Sequence, residues 1–335
     1  MFTCTVMENE HFSRRKILPA FELRDKILSG GSIEFDEALS LYDEPLEDVC
    51  AAADEIRNRF CQKSFDMCAV ISVKGGRCSE NCRFCPQASC SNSQIKEFEL
   101  LSGDEIMDRA KKLDELGIGH VCLVSSGRRL SKKDIRSLCD VVRAIGKDLS
   151  VKPCASLGLI DEEDCRNLKE AGLIRLHNNL ETSETHFMEV CTSHTYKEKL
   201  DLLEAAKKAG LELCCGGLLG IEENRRDRIE LAFTIKKYAP ESVPLNLLYP
   251  SKGSAMEDAE RLSYEEIQKT FAIFRFILPK SELRLAAGRD LLEDTGEKCF
   301  LSGGNAAITG DCLTVKGISA SEDIENIERI ISERW

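Results

Sequence analysis

The sequence has no long hydrophobic run and no excess of positive charge. No stretch approaches the ~18 apolar residues that a membrane-spanning helix needs, and the first residues contain no continuous apolar segment typical of a signal peptide. We therefore expect a cytoplasmic protein whose thiols stay reduced. The formal net charge is −12 at pH 7. Because nucleic acids and anionic membranes bind basic surfaces, we expect neither as a partner.

Also absent are internal repeats, low-complexity segments and a Gly-x-Gly-x-x-Gly turn after an early strand. The missing glycine turn leaves a dinucleotide-binding fold without support. At 335 residues the chain exceeds the usual size of a single domain, although a closed α/β barrel reaches this length as one unit. A chain of this length can bury a large core without disulfides.

Hydrophobic patterning divides the chain into three parts. Residues 1–66 are expected to form an N-terminal helical extension, because the apolar spacing between Phe35 and Phe60 is helical. Over residues 67–320, strand-like and helical patterns alternate, which predicts a TIM-type (βα)8 barrel, with an open doubly wound sheet as the alternative. Residues 321–335 are expected to form a C-terminal helix. The predicted strands are Cys68–Val73, His120–Ser125, Ser150–Ser156, Ile174–Leu180, Glu212–Leu218, Ser242–Leu248, Glu282–Ala286 and Ala306–Thr309.

Cysteine, by contrast, is abundant, with 17 residues in the chain. Cys78, Cys82 and Cys85 form a C-x3-C-x2-C tripod directly after the first predicted strand, at the mouth of a barrel where its chemistry is found. Three thiolates can bind a [4Fe–4S] cluster and leave one iron open to a non-protein ligand. A structural zinc site is the alternative, but zinc sites usually contain a second cysteine pair or histidines, and none completes this one. Cys90 is a competing ligand that we do not expect to be used.

Three further cysteines, Cys122, Cys154 and Cys214, lie inside predicted strands, and Arg284 lies inside a fourth. Alternate residues of a barrel strand point to the interior, so these side chains can converge although they are far apart in the sequence. A buried cysteine often acts as a small hydrophobic residue, whereas a buried arginine without a partner is costly. The residues alone leave a second metal site and a set of buried thiols equally open.

Six short sequence motifs, the first of which contains the cysteine tripod, are distributed along most of the chain. The tripod, with the aromatic Phe84 before its last cysteine, resembles the radical S-adenosylmethionine (SAM) superfamily, and the six segments together resemble the biotin synthase family. The segments are Cys-Ser-Glu-Asn-Cys-Arg-Phe-Cys-Pro-Gln (78–87), Asn-Asn-Leu-Glu-Thr-Ser (178–183), Cys-Gly-Gly-Leu-Leu-Gly (215–220), Glu-Ser-Val-Pro-Leu-Asn (241–246), Arg-Leu-Ala-Ala-Gly-Arg (284–289) and Leu-Thr-Val-Lys-Gly (313–317).

The resemblance implies a reaction and its cofactors. SAM would bind the open iron of the [4Fe–4S] cluster and be cleaved to a 5′-deoxyadenosyl radical, which abstracts hydrogen from dethiobiotin. An auxiliary iron–sulfur cluster, [2Fe–2S] by family default with a larger one left open, would supply the sulfur that closes the ring of biotin. A homodimer and a flavodoxin-type electron donor are implied as well.

The resemblance also implies residue roles. The tripod would be catalytic, and the auxiliary cluster would be bound by Cys122, Cys154, Cys214 and Arg284. The cofactor-binding residues would be Asn179, Glu181, Ser125, Gly216 and Gly217, and the substrate-binding residues Asn179, Asn246, Thr314 and His177.

Three departures from the family pattern surround the expected auxiliary cluster. His177 stands where an asparagine is expected, Cys215 where a serine is common, and Ala286 where a serine is frequent. The complete ligand set of that cluster is therefore left open. Two other interpretations remain: a different radical SAM barrel, similar to a hydrogenase maturase or a methylornithine synthase, and a non-catalytic iron–sulfur or zinc scaffold.

Overall fold

A computed structural model of the chain describes residues 19–311 and 317–335. Between residue 19 and the first strand lie three α-helices: α1 (Ala20–Leu28), α2 (Phe35–Ser40) and α3 (Leu46–Cys61). Each is amphipathic; for example, α3 buries Val49, Ala53 and Ile56 while its other face stays in water. No helix of the described ranges is long and apolar enough to cross a membrane.

In the described part of the chain, nine parallel strands form one closed sheet. They lie in the order β5-β4-β3-β2-β1-β9-β8-β7-β6, and an additional pairing joins β5 to β7. Since β5 and β6 are separated by two residues and both pair with β7, they are two halves of a single barrel strand. The predicted eight-stranded barrel is confirmed, and the open doubly wound sheet is wrong. The strands are β1 (Asp66–Lys74), β2 (His120–Ser125), β3 (Lys152–Ser156), β4 (Arg175–His177), β5 (Glu212–Cys214), β6 (Gly217–Leu219), β7 (Ser242–Leu247), β8 (Glu282–Leu285) and β9 (Ala306–Thr309).

Helices surround the barrel, and most of those that follow a strand begin at a side-chain cap. The hydroxyl of Ser102, for instance, accepts a hydrogen bond from the backbone N–H of Glu105, which satisfies one of the free donors at the start of a helix. Such caps fix the residue at which each loop of the carboxyl mouth ends and the following helix begins. The helices are α4 (Gly103–Glu115), α5 (Lys132–Asp148), α6 (Glu162–Glu170), α7 (Glu184–Val190), α8 (Tyr196–Lys208), α9 (Arg225–Tyr238), α10 (Tyr264–Ile277), α11 (Glu297–Phe300) and α12 (Ala320–Arg334), with 3-10 turns at Leu41–Asp43 and Arg289–Leu291.

The two faces of the barrel strands have different compositions. On β2, Val121 and Leu123 belong to the main hydrophobic core between the sheet and the helices, whereas Cys122 belongs to a separate cluster with Cys68 and Cys154. This alternation follows from the two-residue period of a strand. The division of the chain at residues 66 and 320 remains a prediction.

Candidate active site

The three cysteines of the tripod lie in the loop that follows β1. Its two ends are tied together: the backbone N–H of Cys78 donates to Gln87 O at 2.7 Å, and the N–H of Gly76 donates to Gln87 Oε1 at 3.0 Å. Gly76 has a φ of 132°, a conformation that only glycine adopts without strain. Cys85 N–H donates to Cys82 O at 3.0 Å. The loop therefore presents three partly exposed thiols from one short, closed segment.

Burial perturbs two of the tripod thiols. It raises the pKa of Cys85 to about 11. A hydrogen bond to Cys191 is the main reason that the pKa of Cys82 is raised, and burial acts in the same direction. The Cys82 and Cys85 thiols consequently keep their protons at neutral pH, so that binding of iron must displace those protons.

Beside the tripod lies a group that the sequence analysis missed. Cys191 Sγ is 3.6 Å from Cys82 Sγ and 3.3 Å from His194 Nδ1. His194 Nδ1 is also 2.6 Å from Glu80 Oε2, and Glu80 accepts from Arg128 Nη1 at 3.0 Å. Cys82, Cys191 and His194 are close enough to share one metal ion. The Cys-x-x-His spacing of residues 191–194 is the signal that could have indicated them.

A second set of thiols occupies the barrel interior. Cys122 and Cys154 are paired in register on β2 and β3, and both belong to one buried cluster with Cys68 of β1. Cys68 is the first residue of the predicted strand Cys68–Val73, and no role was predicted for it. The two-residue period of a strand could have indicated that Cys68 faces the interior. Cys68 and Val70 lie on the same side of β1, and Val70 pairs with Cys122. Cys214, on β5, pairs with His177 and with Ser242.

Arg284 extends from β8 into a ring of charged groups below these thiols. Its Nε donates to Ser242 Oγ at 3.1 Å and its Nη1 to Ala307 O at 2.8 Å. Its Nη2 donates to the carboxylates of Asp66 and Glu282. All three nitrogens of the guanidinium group are therefore engaged by protein acceptors.

Comparison with known proteins decides the family. The Radical SAM superfamily model matches residues 72–235, and the Biotin and Thiamin Synthesis associated domain model matches residues 244–330. The biotin synthase of Brachyspira hyodysenteriae is 42% identical over 97% of both chains. The biotin synthase of Clostridium botulinum (strain Loch Maree / Type A3) is 45% identical over 92% of this chain and 96% of its own. The chain belongs to the biotin synthase family.

Solved structures agree on the fold of this biotin synthase family member. Methylornithine synthase superposes with a TM-score of 0.79 at 19% identity, covering 92% of this chain and 95% of its own. The FeFe-hydrogenase maturase of Carboxydothermus hydrogenoformans superposes with a TM-score of 0.78 at 17% identity, covering 92% and 77%. As a radical SAM enzyme, the chain belongs to a family that carries a SAM-binding [4Fe–4S] cluster and an auxiliary iron–sulfur cluster.

The predicted cofactor-binding residues of this biotin synthase family member meet at the barrel mouth. Asn179 Oδ1 accepts from Gly216 N–H at 3.1 Å. Glu181 has a φ of 69°, and its carboxylate is 3.7 Å from Lys199 Nζ. A Cβ atom on Gly217 would lie 2.6 Å from Glu181 O, which explains the glycine there. These contacts hold the mouth loop against β6.

Ser125, the remaining predicted cofactor contact, ends β2. Its hydroxyl is buried and has no hydrogen-bond partner among the described residues. A buried hydroxyl without a partner is costly, so a ligand that bonded to it would relieve that cost.

Two of the predicted substrate residues, Asn246 and His177, are half-buried. Asn246 Oδ1 accepts from Ala287 N–H at 3.2 Å and its Nδ2 donates to Gly217 O at 3.1 Å. His177 Nδ1 is 3.3 Å from Cys214 Sγ, and burial lowers the pKa of His177 to about 4. Its imidazole is therefore neutral at pH 7. Thr314 lies outside the described residues.

Proposed function

We propose that this protein is a biotin synthase that inserts sulfur into dethiobiotin. One observation carries the proposal: a tripod of thiols at the barrel mouth and a second layer of thiols inside the same barrel. Hydrogen abstraction alone needs only the first set. Sulfur insertion also needs a sulfur source within reach of the substrate radical, and the interior thiols offer a place to hold one.

The tripod loop fits a [4Fe–4S] cluster with an open iron. It supplies three thiols, and Glu80 N–H lies 3.4 Å from Cys78 Sγ as a hydrogen-bond donor that stabilises thiolate charge. The bound cluster supplies the electron for cleavage of SAM. We propose that Asn179, Glu181, Ser125, Gly216 and Gly217 position SAM at the mouth.

The interior fits the uncharged ureido ring of dethiobiotin. Asn246 is oriented by two backbone bonds and keeps one N–H and one lone pair for the ureido ring of dethiobiotin. His177 adds no charge at neutral pH. The closed barrel excludes water and keeps the substrate near the interior thiols, which favours capture of a carbon radical by sulfur. Asn179 and Thr314 complete the proposed substrate contacts.

Three further parts of the proposal rest on composition and family resemblance. They are a cytoplasmic location, a homodimer and a flavodoxin-type electron donor.

The test is a single anaerobic assay of iron-reconstituted protein with SAM, reductant and dethiobiotin, in which 5′-deoxyadenosine and biotin are followed together by mass spectrometry. We expect both, with two deoxyadenosines for each biotin, because two C–H bonds must be broken. Deoxyadenosine without biotin would keep the radical SAM chemistry and reject dethiobiotin as the substrate. Neither product, with intact cluster absorbance, would favour the non-catalytic scaffold.

A further inference from the structure

We propose that Cys82, Cys191 and His194 form a binding site for zinc, and that zinc bound there prevents assembly of the [4Fe–4S] cluster on the tripod. The zinc site itself depends on the geometry of two loops at the barrel mouth. Its effect on the cluster rests on the proposed function, because it requires that Cys82 be a ligand of that cluster.

The backbone holds the two thiols of this site in contact. The loop between α7 and α8 lies against the tripod loop, and Arg83 N–H donates to Val190 O at 3.0 Å. On the other side of the same contact, Asn81 Oδ1 accepts from Ser193 N–H at 3.0 Å. The residues that flank the two cysteines are therefore bonded to each other, and the thiols meet without any rearrangement of the chain.

The spacing of the three ligand atoms fits a tetrahedral zinc ion. Zinc binds sulfur at about 2.3 Å and imidazole nitrogen at about 2.0–2.1 Å, which places two sulfurs about 3.8 Å apart and a sulfur and a nitrogen about 3.6 Å apart. The Sγ atoms of Cys82 and Cys191 are 3.6 Å apart, and Cys191 Sγ is 3.8 Å from His194 Nε2. All three ligand atoms lie within 4.8 Å of one another, so rotation of the side chains brings them onto one ion.

His194 is oriented for this role by a carboxylate. Its Nδ1 is 2.6 Å from Glu80 Oε2, and Glu80 is itself fixed by Arg128 Nη1 at 3.0 Å and Ser193 Oγ at 2.8 Å. A histidine that binds a metal usually donates its other ring N–H to such a carboxylate, which sets the tautomer and the direction of the ring. Nε2 is left with Cys191 Sγ as its only hydrogen-bond partner among the described residues.

The donor set and its burial select the metal. Two thiolates and one imidazole suit zinc, with water in the fourth position. Cys191 and His194 are 3% and 7% exposed, so an unbalanced charge there would be costly. Zinc displaces one proton from each thiol, and the resulting pair of thiolates cancels the two positive charges of the ion.

The shared thiol links this site to the cluster. Cys82 is the middle residue of the tripod, and zinc bound to it leaves only Cys78 and Cys85 for iron. Two thiols are too few to hold a [4Fe–4S] cluster that needs three. Zinc present during assembly would therefore lower the iron content of the protein.

The first experiment isolates the zinc site. Its parent chain carries Cys78→Ala and Cys85→Ala, which remove the tripod but retain Cys82. Cys191→Ser, His194→Gln or the control Cys90→Ser is added, and zinc is titrated anaerobically against a chromophoric chelator, with far-UV circular dichroism as the test of folding. Zinc held by the thiols inside the barrel is common to all four chains and cancels in the comparison.

We expect Cys191→Ser and His194→Gln each to weaken the binding of one zinc ion by about 100-fold or more, since the loss of a mere outer partner of a ligand already costs about 10–100-fold. Cys90→Ser, which alters an exposed thiol of the same segment, should bind zinc as the parent does. Unchanged zinc binding in folded Cys191→Ser or folded His194→Gln would overturn the site.

The second experiment tests the competition in the full chain. Cluster-free wild type and Cys191→Ser are reconstituted with iron and sulfide, with and without an equimolar amount of zinc added first, and iron per chain is measured. Zinc should lower the iron content of wild type more than that of Cys191→Ser. Equal zinc sensitivity of the two chains would overturn the competition. Failure of zinc-free wild type to assemble a [4Fe–4S] cluster would reject the tripod and the proposed function, whereas the zinc titration would still decide the site.

Discussion

Single residues inside this barrel differ from those of an ordinary packed barrel. Interior layers of such barrels are usually filled by branched aliphatic side chains. On β2, for example, His120 and Cys122 face inward, whereas Val121 and Leu123 belong to the outer core. Because sulfur and charge occupy the interior, substitutions there should affect chemistry before they affect folding.

Replacing Cys82 by alanine should reduce SAM cleavage to background, because two thiolates cannot hold the cluster in the geometry that leaves one iron open. The measurement is anaerobic production of 5′-deoxyadenosine. The control is Cys90→Ala, an exposed cysteine of the same segment whose Sγ donates only to Asn81 O. Cleavage at the wild-type rate in Cys82→Ala would reject the tripod.

Replacing Cys154 by alanine should separate the two halves of the reaction. SAM cleavage should persist, because the tripod is intact, whereas biotin should no longer form. Both products are measured in one assay. Cys139→Ala, which removes a similarly buried thiol from α5, is the control and should form biotin. Normal biotin formation by Cys154→Ala would show that this thiol holds no sulfur source.

Among the elements, the interrupted fifth strand is the one that shapes the site. The chain leaves the sheet between β5 and β6, where Cys215 N–H donates to Ser242 O at 2.9 Å and its side chain enters the outer core. Cys214 can therefore face inward and Cys215 outward, as their adjacent positions require. The interruption brings Gly216 and Gly217 against neighbouring backbone.

Gly216→Ala should destabilise the fold, because the new Cβ would lie 1.8 Å from Pro244 O. Overpacking of this kind costs about 1–3 kcal/mol. The free energy of unfolding in urea is the measurement. Gly146→Ala is the matched control, since nothing lies within 4 Å of its Cβ in α5, and it should stabilise the helix by about 1 kcal/mol or less. Equal stabilities of the two variants would contradict the close approach.

The C-terminal helix is held by the only tryptophan of the chain. The guanidinium carbon of Arg57 lies 3.6 Å from the centre of the Trp335 ring, and the Phe65 ring lies 5.8 Å away. Trp335→Ala should lower the free energy of unfolding by about 0.5–2 kcal/mol, the range of a cation–π contact. Trp335→Phe, which retains an aromatic face, should lose less. If the two variants melt at the same temperature, the ring does not hold the helix.

At the scale of the whole molecule, negative charge dominates, with 58 acidic against 46 basic residues. Two of the carboxylates, Asp227 and Glu266, are held by specific donors. Burial would raise the pKa of Asp227, but a hydrogen bond from Ser183 and one from the backbone of Asn224 outweigh it and lower the pKa. Burial would likewise raise the pKa of Glu266, but Arg225 and Arg228 outweigh it and lower that pKa.

These lowered pKa values predict acid sensitivity. A carboxylate whose pKa is lower in the folded state contributes stability that is present above its unfolded pKa, about 4, and is lost as the pH falls through the folded value. The urea concentration at the midpoint of unfolding should therefore decrease as the pH is lowered from about 5 to about 3. Asp227→Asn should flatten this dependence, and the exposed Asp140→Asn should leave it unchanged. An identical pH profile for wild type and Asp227→Asn would contradict the assignment.

Much of the fold was predictable because the patterns that specify it are local. The strands His120–Ser125 and Ala306–Thr309 have the bounds that alternation predicts. The segment predicted as Ile174–Leu180 is shorter in the structure, Arg175–His177, because the chain turns away toward Glu181 and its positive φ. That turn is stabilised by contacts with β6. The alternation of apolar and polar residues within the segment does not reveal these contacts.

The sequence by itself determined the tripod and the alternation of each strand, because both depend on residues a few positions apart. Only the tertiary structure brought Cys68 to Cys122 and Cys154, and Cys191 to Cys82. It also brought Arg284 to its carboxylate partner Asp66, which is 218 residues away in the sequence. Such pairs depend on the closure and register of the barrel, which arise from the packing of the whole chain and not from any one segment.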